Sequence, residues 1–116
     1  MKVGIVGSRR RHDKENVIKL VDSLKSDDIV VSGGCRGVDT WAVNRAKERG
    51  LQVIIFSPDL SNVKNRVDMI KRYYERNKKI VENSSVIYAF VSPDRKGGTE
   101  NTIQWAKKLS KWVVVL

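Results

Sequence analysis

The 116-residue sequence is poor in the residues that fix small folds covalently: it has one cysteine, Cys35, one histidine, His12, and two prolines. A single cysteine excludes an intrachain disulfide, and one cysteine with one histidine is too few for a cysteine-histidine zinc site. The carboxylates Asp59, Asp68, Asp94 and Glu100 follow no repeated metal-ligand spacing, so no obligatory metal is expected. No apolar run approaches the roughly 20 residues that span a bilayer. The opening Met1-Lys2 passes straight into a strand-like segment without a signal-peptide profile, so the expectation is a cytoplasmic protein with no membrane partner. Acidic side chains are also scarce, 13 against 23 lysines and arginines, for a net charge of +10. The excess is present in both halves of the chain, so there is no detachable basic tail. Anions are the expected partners, with solubility and surface ion pairing as the simpler account of the same charge.

What is present is the composition of an ordinary globular domain, 41% hydrophobic and 31% charged, and the length fits one domain over residues 1–116. Short β-branched runs alternate with amphipathic stretches. Val3–Val6, Ile29–Ser32, Val53–Phe56, Val86–Val91 and Val113–Leu116 read as strands buried on both faces. Between them, Val17, Leu20, Val21 and Leu24 form one face of a helix ending near Ser26, with Asp13 as its N-cap. Val38, Trp41, Ala42 and Ala46 mark a second helix, closed by Gly50 in a left-handed C-terminal cap. Val63, Val67, Ile70, Tyr74, Asn77 and Val81 mark a third, the longest, beginning after Ser57-Pro58-Asp59, and Ile103, Ala106 and Leu109 mark a fourth. Strand-helix alternation of this kind predicts a Rossmann-like α/β fold: a three-layer αβα sandwich around a five-stranded, mainly parallel sheet. Ligands of such sheets bind at the carboxyl ends of the strands.

The loops at those ends are chemically distinctive. After the first strand come Gly7, Ser8 and Arg9, offering close backbone approach, a hydroxyl and a guanidinium suited to phosphate. After the second, Gly33, Gly34 and Gly37 surround Cys35 and lead into Asp39, and unobstructed amides at a helix N-terminus favour an anion. Asp39 caps that loop or binds a ribose hydroxyl. After the fourth, Gly97, Gly98 and Thr99 open another helix. These turns are expected to converge on one nucleotide-type ligand. Arg76 and Asn77, polar on a largely apolar helix face, either reach that pocket or an interface, or Arg76 extends outward and Asn77 caps a local kink.

Taken together, GSR, SGGCRGVD, RNKKIVENSSVIYAF and GGTENT resemble the SLOG superfamily over nearly the whole chain. That superfamily includes the Rossmann-like domain of DNA-processing protein A, the Lonely-guy phosphoribohydrolases and small stand-alone nucleotide-binding domains, and the chain is most similar to the last. The resemblance places Gly7, Ser8, Arg9, Gly33, Gly34, Gly37, Asp39, Arg76, Asn77, Gly97, Gly98 and Thr99 in the ligand pocket. In the phosphoribohydrolases a PGGxGTxxE motif supplies a glutamate. Here Glu100 is followed by Asn101 and Thr102, so that carboxylate is missing, and Glu100 replaces it only with a one-residue shift, about 100° around the helix. Glu100 and Asp39 are then the carboxylates left for acid/base work.

Three functions follow: a sensor or carrier binding a nucleotide or other phosphorylated small molecule, without an obligatory cofactor; a nucleoside-monophosphate phosphoribohydrolase; or a single-stranded nucleic-acid binder. The last would use Arg9, Arg10 and Arg11 with Lys64, Lys71 and Lys78, a seven-residue stripe assigned to the third helix. Cys35 is expected as a small filler rather than a nucleophile, and His12 as a surface residue. Trp41, Trp105 and Trp112 are assigned to core packing, with Trp105 also placed to meet a second subunit in a homodimer.

Overall fold

The computed structural model describes residues 1–116. The chain runs β1 (Lys2–Gly7), α1 (Lys14–Asp22), β2 (Ile29–Ser32), α2 (Val38–Glu48), β3 (Gln52–Ile55), α3 (Arg66–Glu82), β4 (Val86–Phe90), α4 (Gly98–Lys108) and β5 (Trp112–Val115). The five strands form one sheet in the order β3-β2-β1-β4-β5, with every neighbouring pair parallel. The chain first winds outward from β1 through β2 to β3, then returns to β1's other side with β4 and β5. The order therefore reverses between β1 and β4, where an open sheet of this kind has its crevice. The expected α/β sandwich is present. No helix is long and apolar enough to cross a membrane.

Period-two alternation divides the strand side chains between two cores. Val3, Ile5, Val30 and Phe90 pack with Val17 and Val21 of α1 and Val38, Ala42 and Ala46 of α2. Val6, Val31, Ile87 and Ala89 face the other way, onto Ile80 and Val81 of α3 and Ile103 and Ala106 of α4. The central strands are buried on both faces. The edge strands are not: Ile55 of β3 and Val114 and Val115 of β5 are exposed, and Trp112 is 79% exposed, so Trp112 does not pack in the core. Being last in the sheet removes a neighbour that hydrophobicity alone does not reveal.

Helix ends also differ from the sequence reading. The first helix stops at Asp22, not Ser26. Asp13 occupies its N-cap position but makes no capping bond. Its two oxygens instead accept from Arg11 Nε at 2.8 Å and Nη2 at 2.6 Å, and the guanidinium holds this carboxyl well below the usual carboxylate range. The third helix begins at Arg66, where the Asn65 side chain accepts from the Asp68 amide. Gly50 does take the left-handed conformation, at φ +73°.

Two dimensions position the site. Helix α3 has 17 residues, about 26 Å at the usual rise, whereas strands of four to six residues span about 13–20 Å. Its N-terminal half therefore overhangs the carboxyl ends of the strands. Helix α2 lies close on β1 at Gly7, where an added Cβ would stand 2.5–2.7 Å from Val38 Cβ and its two methyls. Gly7→Ala is accordingly expected to destabilise the fold by about 1–3 kcal/mol through overpacking, read as a lower urea midpoint with an unchanged slope.

Candidate functional site

A cleft of about 640 Å³ opens at the β1–β4 reversal. The β1–α1 loop contributes Gly7, Ser8, Arg9 and Arg10, and the β4–α4 turn contributes Lys96, Gly97, Gly98 and Thr99. The inner face of α3 forms the opposite wall with Arg66, Met69, Ile70, Tyr73, Tyr74, Arg76, Asn77 and Ile80. From the glycine-rich β2–α2 loop only Cys35 and Asp39 reach the lining. All three turns expected to converge border this cleft, those after β1 and β4 with their glycines and the one after β2 through Cys35 and Asp39. Gly33, Gly34 and Gly37 lie outside the lining.

Part of the β2–α2 loop is taken up by internal bonds, although the first turn of α2 carries no side-chain cap. Ser32 Oγ accepts from the Gly34 amide at 3.1 Å, and Asp39 Oδ2 accepts from the Cys35 amide at 3.2 Å. The Gly33 carbonyl accepts from Arg76 Nη1 at 2.8 Å. A Cβ at Gly33 would stand 2.7 Å from that nitrogen, so the glycine is there to admit a guanidinium. Arg76 is buried, with Nε donating to Asn77 Oδ1 at 3.0 Å and the guanidinium over the Tyr73 ring at 5.4 Å. It does not extend outward, and it reaches the cleft lining, one of the two placements expected for it. Asn77 Nδ2 reaches across to the Gly98 carbonyl at 3.4 Å and Asn101 Oδ1 at 3.2 Å, which docks α3 on the first turn of α4.

The β4–α4 turn is open by contrast. Its N-cap is Gly97, no side chain caps the helix, and Gly97 and Gly98 face empty space where a Cβ would be. First-turn amides have no intrahelical acceptor and carry the positive end of the helix dipole. Ser92 Oγ donates to Asp94 Oδ1 at 2.7 Å and Lys96 O at 3.3 Å, which shapes the turn from beneath. The exposed cations Arg9, Arg10, Arg66 and Lys96 line the same cleft, with Arg10 held to Asp94 at 2.6 Å. Ser8 Oγ is occupied in accepting the Arg10 amide.

Other expected site residues lie elsewhere. Arg95 grips both oxygens of Glu100, at 2.9 and 3.0 Å, and Glu100 is not in the cleft. Arg11 is committed to Asp13 and, through Nη1, to the carbonyls of Val91 and Leu116, where it closes the ends of β4 and β5. Lys64 precedes α3 instead of riding on it, and Lys78 sits 5.1 Å over the Trp105 ring with Lys108 at the same distance, so the three-lysine stripe is interrupted. Trp105 is half-buried beneath those lysines, and its Nε1 has no partner. The sequence reading did not single out Arg66, Met69 or Lys96, and it placed Ile70 and Tyr74 on the apolar face of the third helix. The available signal was the length of α3 compared with the strands.

Asp39 is the one carboxylate in the lining. Burial pushes its carboxyl up to about 6, against the opposing pull of the Cys35 amide and the Arg76 charge.

Fold and cleft together define a Rossmann-like domain of the SLOG type. The chain belongs to the DNA recombination-mediator protein A family, whose model matches residues 1–67, from β1 to the first residues of α3. Among solved structures, DNA processing protein A from Streptococcus pneumoniae superposes with a TM-score of 0.81 at 20% identity, over 98% of this chain and 49% of that one. This chain thus spans about half the length of that protein. A saccharopine dehydrogenase from Saccharomyces cerevisiae (TM-score 0.54, 16% identity) and the C-terminal domain of a Pyrococcus furiosus hydrogenase (0.55, 12%) share the fold over 98% of the chain. They cover 21% and 89% of those proteins. No curated protein sequence matches the chain.

Because folding raises the Asp39 pKa from the ordinary value near 4 to about 6, its folded environment favours the protonated form. That contribution is fully present below about pH 4 and is lost as pH rises through 6. Between pH 4 and pH 8 the wild type should lose roughly 2–3 kcal/mol more stability than Asp39→Asn, a difference read from paired denaturant titrations.

Proposed function

We propose that the cleft binds the phosphate of a nucleotide, as a sensor or carrier domain would, without an obligatory metal or cofactor. One observation carries this reading: the uncapped N-terminus of α4 opens into a cleft ringed by Arg9, Arg10, Arg66 and Lys96, with a single, burial-weakened carboxylate in the lining. Amides of Gly98 and Thr99 would take the phosphate oxygens, the Thr99 hydroxyl would add a donor, and Arg9 and Lys96 would neutralise the charge. Asp39 and Arg76 act beneath the ligand by holding the floor of the cleft, and Asn77 keeps the α4 turn aligned with α3. The volume lies within the usual range for small-ligand sites.

A second reading, that the phosphate belongs to single-stranded nucleic acid, is favoured by the family and by the +10 net charge. Arg9, Arg10 and Lys96 would then meet successive phosphates along the cleft. N-glycosidic hydrolysis loses support because Glu100 is clamped by Arg95 outside the cleft, leaving Asp39 alone for acid/base work.

Calorimetric titration with nucleoside monophosphates and with an oligothymidylate, at several salt concentrations, separates these readings. Nucleotide binding should weaken about tenfold in Arg9→Ala and again in Lys96→Ala, each removing a charge-assisted contact, and should be unchanged in Glu100→Gln. Much tighter oligonucleotide binding with a steep salt dependence selects the strand reading. Release of free base selects hydrolysis, and absence of binding to every ligand overturns the phosphate site.

A further inference from the structure

The wall facing the anion-favouring turn has a different chemistry. Met69, Ile70 and Tyr74 line the cleft from the overhanging half of α3, yet they are 42%, 41% and 40% exposed. Single exposed apolar side chains are commonplace, but three together on one wall of a charged cleft form a surface that water covers poorly. Ile70 and Tyr74 are four residues apart and so stack along one helical face. Tyr73, between them in sequence, already has the Arg76 guanidinium over its ring, which leaves Tyr74 as the aromatic side chain free to take a new partner.

Their height above the anion end is fixed. Asn77 is bonded to the Gly98 carbonyl and to Asn101, so it marks the level of the α4 N-terminus on α3. Tyr74 lies three residues and Ile70 seven residues farther toward the free end, about 4.5 Å and about 10.5 Å along the axis. A pentose bridges a separation of that order between a phosphate and a flat ring.

Resting on the phosphate reading above, we propose that the overhanging half of α3 is a nucleobase platform. Tyr74 and Ile70 take the face of the base while the α4 turn holds the phosphate. The occupant is the base of the same ligand because the apolar wall and the cationic turn are two sides of one continuous cleft. A second copy of the chain on this wall would bring two cationic rims together in a protein of net charge +10. Recognition is by ring face: Tyr74 supplies a π-surface and Ile70 an apolar contact beneath it.

The test compares AMP with ribose 5-phosphate on the full chain by calorimetry, in the wild type and in Tyr74→Ala and Ile70→Ser. Both substitutions fall on exposed positions, and thermal melting checks that the fold is retained. The wild type should bind AMP at least tenfold more tightly than ribose 5-phosphate. Tyr74→Ala should weaken AMP about tenfold, the scale of one base-aromatic stack, with ribose 5-phosphate changed less than twofold. Ile70→Ser should shift in the same direction by less. Equal wild-type affinity for both ligands, or equal weakening of both in Tyr74→Ala, overturns the platform while leaving the phosphate site intact. Failure of the wild type to bind either ligand overturns the phosphate reading and the platform with it. A dimer that Ile70→Ser dissociates in sedimentation, with AMP affinity unchanged, assigns the wall to a second copy and overturns the proposal.

Discussion

The guanidinium of Arg76 is a positive charge placed where little water reaches it, and its hydrogen bonds go to main chain and amide oxygens instead of a carboxylate. Removing a charge from water is expensive unless the site supplies acceptors with good geometry. Here the oxygen acceptors are the Gly33 carbonyl just after β2, the Phe56 carbonyl just after β3 and the neighbouring Asn77 amide, and Nη2 also lies 3.5 Å from Cys35 Sγ. One side chain of α3 thereby fixes where two strands on the far side of β1 must end. The same contact requires glycine at position 33 and brings Asp39 into the electrostatic field of Arg76.

This arrangement puts two glycine-rich turns of similar sequence in different surroundings. The turn before α2 is closed by Ser32, Asp39 and Arg76. The turn before α4 is held by Ser92, Asp94 and Asn77. Neither helix has a side-chain cap, but the glycines of the second turn lie in the cleft lining and those of the first do not. Composition cannot separate the two cases, because the side chains that close the first turn lie seven and 44 residues away from Ser32 in sequence.

The same limit governs what could be read without coordinates. The five strands and four helices were legible because apolar runs and helical spacing reflect burial directly, and the central strands are buried on both faces as expected. Edge placement was not legible: Trp112 and Val114 have the sequence character of core strand and are exposed because β5 has one neighbour. Asn77 and Gly98 were identifiable as unusual residues, but their contact depends on the docking of α3 against α4. Arg10, Arg11, Lys64 and Lys78 look alike as charges, yet each is engaged differently. Arg11 is a bracket for strand ends, Lys78 covers an indole, Lys64 lies outside the helix, and Arg10 is shared with Asp94. Sequence gives the sign of a charge, and only the fold says whether it is already partnered.

Structures with the same fold include a dehydrogenase and a hydrogenase domain at 12–16% identity, so the layered sheet itself dictates little chemistry. In this chain α3 runs well beyond the strands. The inner half of that helix, from Arg76 to Val81, is locked into the core, while Val67, Met69, Ile70 and Tyr74 contribute little to it. On the proposed reading, stability and selectivity fall to different turns of one helix. Substitutions in the outer turns can accumulate at small cost to folding, which gives a lineage room to change what the cleft accepts while the scaffold beneath it stays the same.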